Sequence, residues 1–569
     1  MVMNISLLYA TWGGNIISHE SSEPKQTTIT VLEDGNILIV PPEAEMLHDK
    51  KSAPRRKVWG GRTFRFNPRN FLPSGNFSLR RFSIVEAALL LMLALLASRG
   101  LGVARQMIFN ALFGTGPEAN AYYAAARLPD TLFNLIAGGA LTHAFIPVFL
   151  SHEKDHGKQE AWRLASLVFN LMLVALTLFI FIGEFLTPTF VNTIIVPGYS
   201  HSEQVLTTSL TRIILLQPLV LGLGTVITAI LNGKRQFLLP ALSIAVYNIG
   251  MIGGLLATVV VPSIGIYGPT YGILAAALLQ GIVQVPALLK QGFRYSFVWD
   301  IRDTGLREVI KLLGPNMLTV AISSIGAIVD TSFASFLPDR ASLAAIHNAQ
   351  MLYSLPDALM AQAIGLALLP HLASQATTGR YVRMRETSLK VMGGSIVLAI
   401  PATLLLWLLG MPVIRLLFQH GAFTAHSSML TNLALTGYSI GLPGIIAGEL
   451  IVCGFYALKD TRTPLLTSIL SLTTRYALIV FFLHTFQGIY IILAIPLAYS
   501  LSAIAEALVL CIVLLIRLSK RVKLDQGMVR LHRRRKHKVD QHQQAIGDIV
   551  IQEEVLNNLL EEATHEVTN

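Results

Sequence analysis

Three stretches of this 569-residue chain run without a charged residue for the width of a lipid bilayer or more, and they fix its class. Leu164–Gly183 and Ile213–Gly233 are each about one bilayer long, since a helix crosses the hydrocarbon core in roughly 20 residues. Phe237–Leu289 stays uncharged for 53 residues, room for two helices and a turn. The runs are continuous rather than alternating, which selects helices over a barrel. Only 14% of residues are charged, against about 25% in soluble domains. The chain reads as an all-α integral membrane protein.

Twelve spans are expected, at about 83–112, 119–150, 161–186, 206–232, 238–261, 268–289, 307–336, 342–372, 387–418, 428–456, 464–484 and 489–517. The connecting loops test that number. Basic residues crowd the segment before the first span (Lys50, Lys51, Arg55, Arg56, Lys57 and others), and the connection 113–120 has none. Lys154 and Lys158 follow the second span, Lys234 and Arg235 the fourth, and Lys290, Arg294 and Arg302 the sixth. Arg380, Arg383 and Arg385, then Lys459 and Arg462, then Lys520 and Arg521 complete the alternation, with only Arg340 on the opposite side. Positive charge therefore lies on one side, which places both termini in the cytoplasm. The net charge of +11 is mostly this orientation signal and not a nucleic-acid footprint. The Arg533–Lys536 cluster suits an anionic lipid surface.

The chain also resembles itself. Leu128-Pro129-Asp130 returns as Leu355-Pro356-Asp357, 227 positions on, and each is followed by small residues and a further proline, Pro147 and Pro370. Asn232-Gly233-Lys234-Arg235 with Pro240 returns as Leu458-Lys459-Asp460-Thr461-Arg462 with Pro464, an offset of 224. Duplication of a six-helix unit follows, giving two lobes at 83–306 and 307–518 related by a pseudo-two-fold axis along the membrane normal. A basic, largely disordered extension (1–82) and a cytoplasmic tail (519–569) flank them. Proline kinks a helix by removing a backbone hydrogen bond, so Pro129, Pro147, Pro356 and Pro370 are candidate hinges.

Ionisable residues at membrane depth are costly and should face a wet cavity or a bundle interior. Arg99, Arg105 and Arg127 stand in such positions and mark a path for something anionic, because a guanidinium donates bidentately to phosphate or carboxylate. Arg99 and Arg105 point apart on an unbroken helix, but Gly100 and Gly102 allow a break that would bring them together. Asp330 is a lone carboxylate suited to coupling with protons or sodium. Glu449, Arg475 and Glu506 are expected to pair among themselves. Cys453 and Cys511 lie in apolar runs and imply neither metal nor disulfide. No catalytic or cofactor motif is legible, with no Walker loop, HExxH or GxSxG.

Ser98-Arg99, Leu101-Gly102, Arg105, Phe113-Gly114, Gly116, Ala121, Pro129, Gly139-Ala140, Ala144-Phe145 and Pro147 resemble the first two helices of the MurJ (MviN) family. Those proteins are lipid II flippases of the multidrug/oligosaccharidyl-lipid/polysaccharide exporter superfamily. The resemblance runs over about 83–517 and includes Phe333-Ala334-Ser335-Phe336-Leu337 and Gly454-Phe455-Tyr456. It implies a MATE-like pair of lobes around a central cavity, in a bacterial cell membrane. It implies a polyprenyl-pyrophosphate-linked peptidoglycan precursor as cargo, met by Arg99, Arg105 and Arg127 and moved by alternating access. Coupling to membrane potential, protons or sodium, and contact with cell-wall synthesis proteins, would follow. Several family charges are replaced here, by Gln106, Asn120, Gly138, Gln350 and Met351. Those replacements leave open an exporter of another lipid-linked glycan, or a scaffold that transports nothing.

Overall fold

The computed structural model describes residues 28–31, 37–40, 84–136 and 139–522. The chain divides into two compact units, Met1–Pro73 and Ser74–Asn569. In the first, β1 (Thr28–Val31) pairs antiparallel with β2 (Ile37–Val40), Thr28 opposite Val40 and Val31 opposite Ile37. The β-branched residues of TITV and ILIV suit a pleated ribbon. The rest of the basic extension, and the tail with Arg533–Lys536, lie outside the described residues.

The second unit is helical. Its first half runs through α1 (Ile84–Phe113), α2 (Pro117–Ile136), α3 (Gly139–His156), α4 (Lys158–Phe190), α5 (His201–Ile214), α6 (Gln217–Gly233), α7 (Leu238–Val260), α8 (Tyr267–Ile282) and α9 (Val285–Lys290). Its second half holds α10 (Thr304–Ser335), α11 (Ser342–Asp357), α12 (Ala363–Thr377), α13 (Tyr381–Phe418), α14 (Ala425–Ala457), α15 (Arg462–Thr485) and α16 (494–522). Side-chain caps set several starts. Asp303 accepts the Leu306 amide at 2.9 Å ahead of α10, and Ser200 with Glu203 forms a capping box on α5.

Among the described residues, eight helical stretches are long and apolar enough to cross a membrane: Lys158–Ile195, His201–Gly233, Leu238–Val260, Tyr267–Lys290, Tyr381–Phe418, Ala425–Ala457, Arg462–Thr485 and Gly488–Val522. Eight of the twelve expected spans are thus recovered by length and apolarity. The other four fall on α1, α2–α3, α10 and α11–α12, which carry Arg99, Arg105, Arg127 and Asp330.

Left-handed backbone recurs at matched positions. Arg235 and Lys459, the non-glycine residues with positive φ among the described residues, are 224 apart. Each follows the same cap: Gln236 N donates to Leu231 O at 2.8 Å, and Asp460 N donates to Phe455 O at 2.9 Å. Gly157 and Gly379 (222 apart) and Gly265 and Gly488 (223 apart) repeat the pattern.

Packing between α7 and α8 depends on small residues. A Cβ on Gly254 would stand 2.5 Å from the Gly272 Cα, so only glycine lets these backbones approach so closely. Phe145, Phe149, Leu164 and Leu167 build one buried cluster in the first half, and Tyr438, Phe418, Phe423 and Phe455 another in the second. A third, around Phe109, Tyr122 and Tyr123, also takes Ala344 from α11, where the two halves meet.

Candidate functional site

The halves are joined by a buried seam of amides. Gln106 and Asn110 are one turn apart on α1 and so share a face. Gln106 Nε2 donates to Asn348 Oδ1 at 2.9 Å and to the Tyr123 hydroxyl at 2.5 Å. Asn110 Nδ2 donates to the same Asn348 oxygen at 2.9 Å. Asn120, at the start of α2, accepts the Ala344 amide at 2.7 Å and donates to the Arg340 carbonyl. All four amide residues are buried. Chain meets chain beside them: Ala422 N donates to Ala111 O at 2.9 Å, and a Cβ on Gly114 would fall 2.3 Å from the Ala422 oxygen. Thr115 and Ser427 share a hydroxyl hydrogen bond of 2.7 Å, and Arg340 pairs with Glu203 at 3.3 Å. One end of the bundle is therefore shut, the end whose connections carry little positive charge.

Behind this seam lies a cavity of about 160 Å³ lined by Arg105, Tyr122, Asp130, Gln217, Tyr247, Met251 and His347. Tyr123 stacks on His347 at its wall, centroids 3.9 Å apart. Among the described residues Arg105 forms no ion pair, and its hydrogen bond is to the Met251 sulfur at 2.9 Å. A thioether is a weak acceptor, so the guanidinium retains most of its donor capacity for an incoming anion.

Arg127 lies elsewhere. Its Nε donates to Thr331 Oγ1 at 2.9 Å, tying α2 to α10. The neighbouring Asp330 is not alone: Arg475 on α15 donates to it at 2.9 Å and lies 4.5 Å from the centre of the Tyr499 ring. The pairing expected within Glu449, Arg475 and Glu506 is corrected accordingly. The fold lays α10 against α15, and Arg475 finds its carboxylate 145 residues away, while Glu506 accepts from Ser468 at 2.9 Å. Arg475, Glu449 and Glu506 line a second cavity of about 290 Å³.

Arg99 lines neither cavity. The expected break at Gly100 and Gly102 is absent, because α1 runs unbroken from Ile84 to Phe113. Six residues turn a helix through about 600°, so Arg99 and Arg105 face apart. The prolines sit within helices: Pro129 in α2, Pro147 in α3, Pro356 in α11 and Pro370 in α12. Pro356 lies two residues before a π-helical turn, Ala358–Gln362, which parts α11 from α12.

Comparison with known proteins decides the family. Residues 109–539 match the family described as "Lipid II flippase MurJ". The chain belongs to the MurJ lipid II flippase family, a family of multi-pass membrane transporters rather than enzymes. It is 27% identical over 390 residues to a probable lipid II flippase MurJ of Rhizobium tropici, covering 68% of this chain and 73% of that one. Against the lipid II flippase MurJ of Burkholderia cenocepacia it is 28% identical over 380 residues, covering 65% and 72%. The solved structure of a lipid II flippase MurJ in an inward closed conformation superposes with a TM-score of 0.64 at 25% identity, covering 74% of this chain and 86% of that one. An inward-facing MATE family transporter of the MOP superfamily superposes with a TM-score of 0.66 at 14% identity, covering 77% and 99%, and shares the fold alone.

Gln106 and Asn120, which in the sequence stand out as replaced MurJ charges, turn out to build the seam. Two amides at i, i+4 in an apolar helix were the available signal. Asn348, Met251 and Tyr247 gave none, since nothing in one sequence shows which helix faces which.

Proposed function

We propose that this MurJ family chain moves lipid II, or a closely related polyprenyl-pyrophosphate-linked saccharide, across a bacterial cell membrane by alternating access. The observation that carries this is Arg105, which stands in a cavity behind a shut seam and hydrogen-bonds a thioether instead of a carboxylate. A pyrophosphate offers it a bidentate, charge-assisted partner in place of sulfur. Arg127 is the second contact in this reading, released from Thr331 as α2 moves against α10. Arg99 does not line that cavity, so the reading rests on the other two.

The moving parts are two six-helix lobes, 83–306 and 307–518, and twelve spans in all. Repetition of the left-handed positions at offsets of 222 to 224 supports a pseudo-two-fold relation between them. The lobes bend at Pro129 and Pro147 in one and at Pro356 and Pro370 in the other. Both termini lie on the positively charged, cytoplasmic side. Gradient coupling acts at Asp330 by loosening its ion pair with Arg475.

Complementation of a strain depleted of its own flippase, with labelling of outer-leaflet lipid II, tests the reading. The chain restores labelling; Arg105→Ala lowers it by at least tenfold, and Arg99→Ala leaves more than half. Full rescue by Arg105→Ala would overturn the arginine mechanism.

A further inference from the structure

A third cavity, of about 530 Å³, opens on the positively charged side of the molecule, away from the seam. Its wall is made by the start of α4 (Lys158, Glu160, Trp162, Arg163) and by the segment after α9 (Arg294, Tyr295). That segment is strapped to α4. Asn170 Nδ2 donates to Val298 O at 2.9 Å, Ser296 N donates to Ser166 Oγ at 3.2 Å, and the Tyr295 hydroxyl donates to Asn170 Oδ1 at 2.7 Å. Phe293 meets the Trp162 ring edge-on at 5.6 Å.

Ser296 and Val298 line the cavity, while Phe297, Trp299 and Ile301 are exposed, Phe297 to 84%. Arg294 and Arg302 bracket this apolar row. Aromatic side chains interleaved with basic ones at the end of a span mark the depth of lipid headgroups.

Charge in the cavity suits a monoanion. Arg163 is engaged by Glu160 at 3.3 Å and Asp300 at 3.8 Å. Lys158 and Arg294 form no ion pair among the described residues, so two cations remain for a ligand phosphate. We propose that this cavity holds the phosphodiester headgroup of an anionic phospholipid of the surrounding leaflet, with Phe297, Trp299 and Ile301 entering the acyl boundary beside it. The occupant is a bilayer lipid and not the cargo, because the cavity is separate from that of Arg105 and the apolar row beside it is exposed.

The test is native mass spectrometry of the full chain in detergent, titrated with dioctanoyl phosphatidylglycerol, dioctanoyl phosphatidylcholine or inorganic phosphate. Phosphatidylglycerol is retained at least tenfold more tightly than phosphatidylcholine, and inorganic phosphate does not displace it at equal concentration. The pair Lys158→Gln with Arg294→Gln loses that preference. The charge-keeping pair Lys158→Arg with Arg294→Lys retains it, as does Arg380→Gln with Arg383→Gln on the same side of the other half. Phe297→Ser with Trp299→Ser weakens retention of both lipids. Equal retention of the two lipids by the unaltered chain would overturn the proposal, since that comparison needs no variant. So would displacement by inorganic phosphate, or a preference that survives loss of Lys158 and Arg294.

Discussion

Asn348→Ala tests whether the amide seam holds the closed end shut. The Asn348 Oδ1 accepts from both Gln106 and Asn110, each at 2.9 Å, so one truncation removes the acceptor of two buried donors. Leaving a buried donor unmade costs about 1–3 kcal/mol. Gln106 keeps the Tyr123 hydroxyl, which places the sum at about 2–4 kcal/mol, the low part of that range for two groups. At about 1.4 kcal/mol per decade, the population with the seam parted rises roughly 30- to 700-fold. Ala119, fully buried beside the seam, serves as the reporter once changed to cysteine in a Cys453→Ser, Cys511→Ser background. A membrane-impermeant maleimide added to intact cells then labels it faster by that factor in Asn348→Ala. The triple variant Gln106→Leu, Asn110→Leu, Asn348→Leu removes donors and acceptors together and restores most of the protection, because replacing both partners by apolar groups of similar shape is nearly neutral. Labelling of Asn348→Ala no faster than the parent, or of the triple variant faster than Asn348→Ala, would refute the reasoning.

Asp330→Asn leaves Arg475 as an uncompensated cation among packed helices, and breaking such a pair costs about 3–5 kcal/mol. The double variant Asp330→Asn, Arg475→Met recovers most of the lost melting temperature in detergent; a double variant no more stable than the single would count against an ion pair. Gly254→Ala drives a Cβ into the Gly272 backbone and lowers stability by about 1–3 kcal/mol, whereas Gly253→Ala, with open space around it, is neutral in the same melting assay. Asp460, in the turn between α14 and α15, gives a pH signature. Burial pushes its carboxyl up, but hydrogen bonds from Thr463 and the Arg517 guanidinium outweigh that and hold it below its ordinary value. A carboxyl depressed in the folded state contributes stability that is present above its unfolded value and lost as pH falls through the folded one. Melting midpoints measured from neutrality down through the carboxylate range therefore fall more steeply for the parent than for Asp460→Asn; parallel curves would contradict this.

Much of the architecture was legible because lipid imposes simple rules on sequence. Eight spans announce themselves by length and apolarity, and the basic residues alternate from loop to loop along the sequence. Leu-Pro-Asp and the turn around Arg235 each recur in the sequence, and at that turn the left-handed residue recurs as well, at Arg235 and Lys459. The site was legible only in part. Arg105 was found from its cost at membrane depth, and it does face a cavity. Arg99 was coupled to it through a helix break that two glycines permit but do not enforce, and α1 stays whole. Asp330 looked solitary because its partner is on α15. Helix-to-helix adjacency is a tertiary property, and one chain read alone does not carry it. The replacements at Gln106 and Asn120 could be noticed, but their role as mutual partners with Asn110, Asn348 and Ala344 required the packing.

The composition of the seam has an electrical consequence. Moving one elementary charge through a membrane potential of 100 mV involves about 2.3 kcal/mol. Gln106, Asn110, Asn120 and Asn348 carry no net charge and no proton that titrates near neutrality. Parting them moves nothing through the field. A transmembrane voltage therefore does no work on the amides themselves, and whatever work it does on the protein is done at charged groups, the Arg340–Glu203 pair at this end and the guanidinium and carboxylate groups deeper in the bundle.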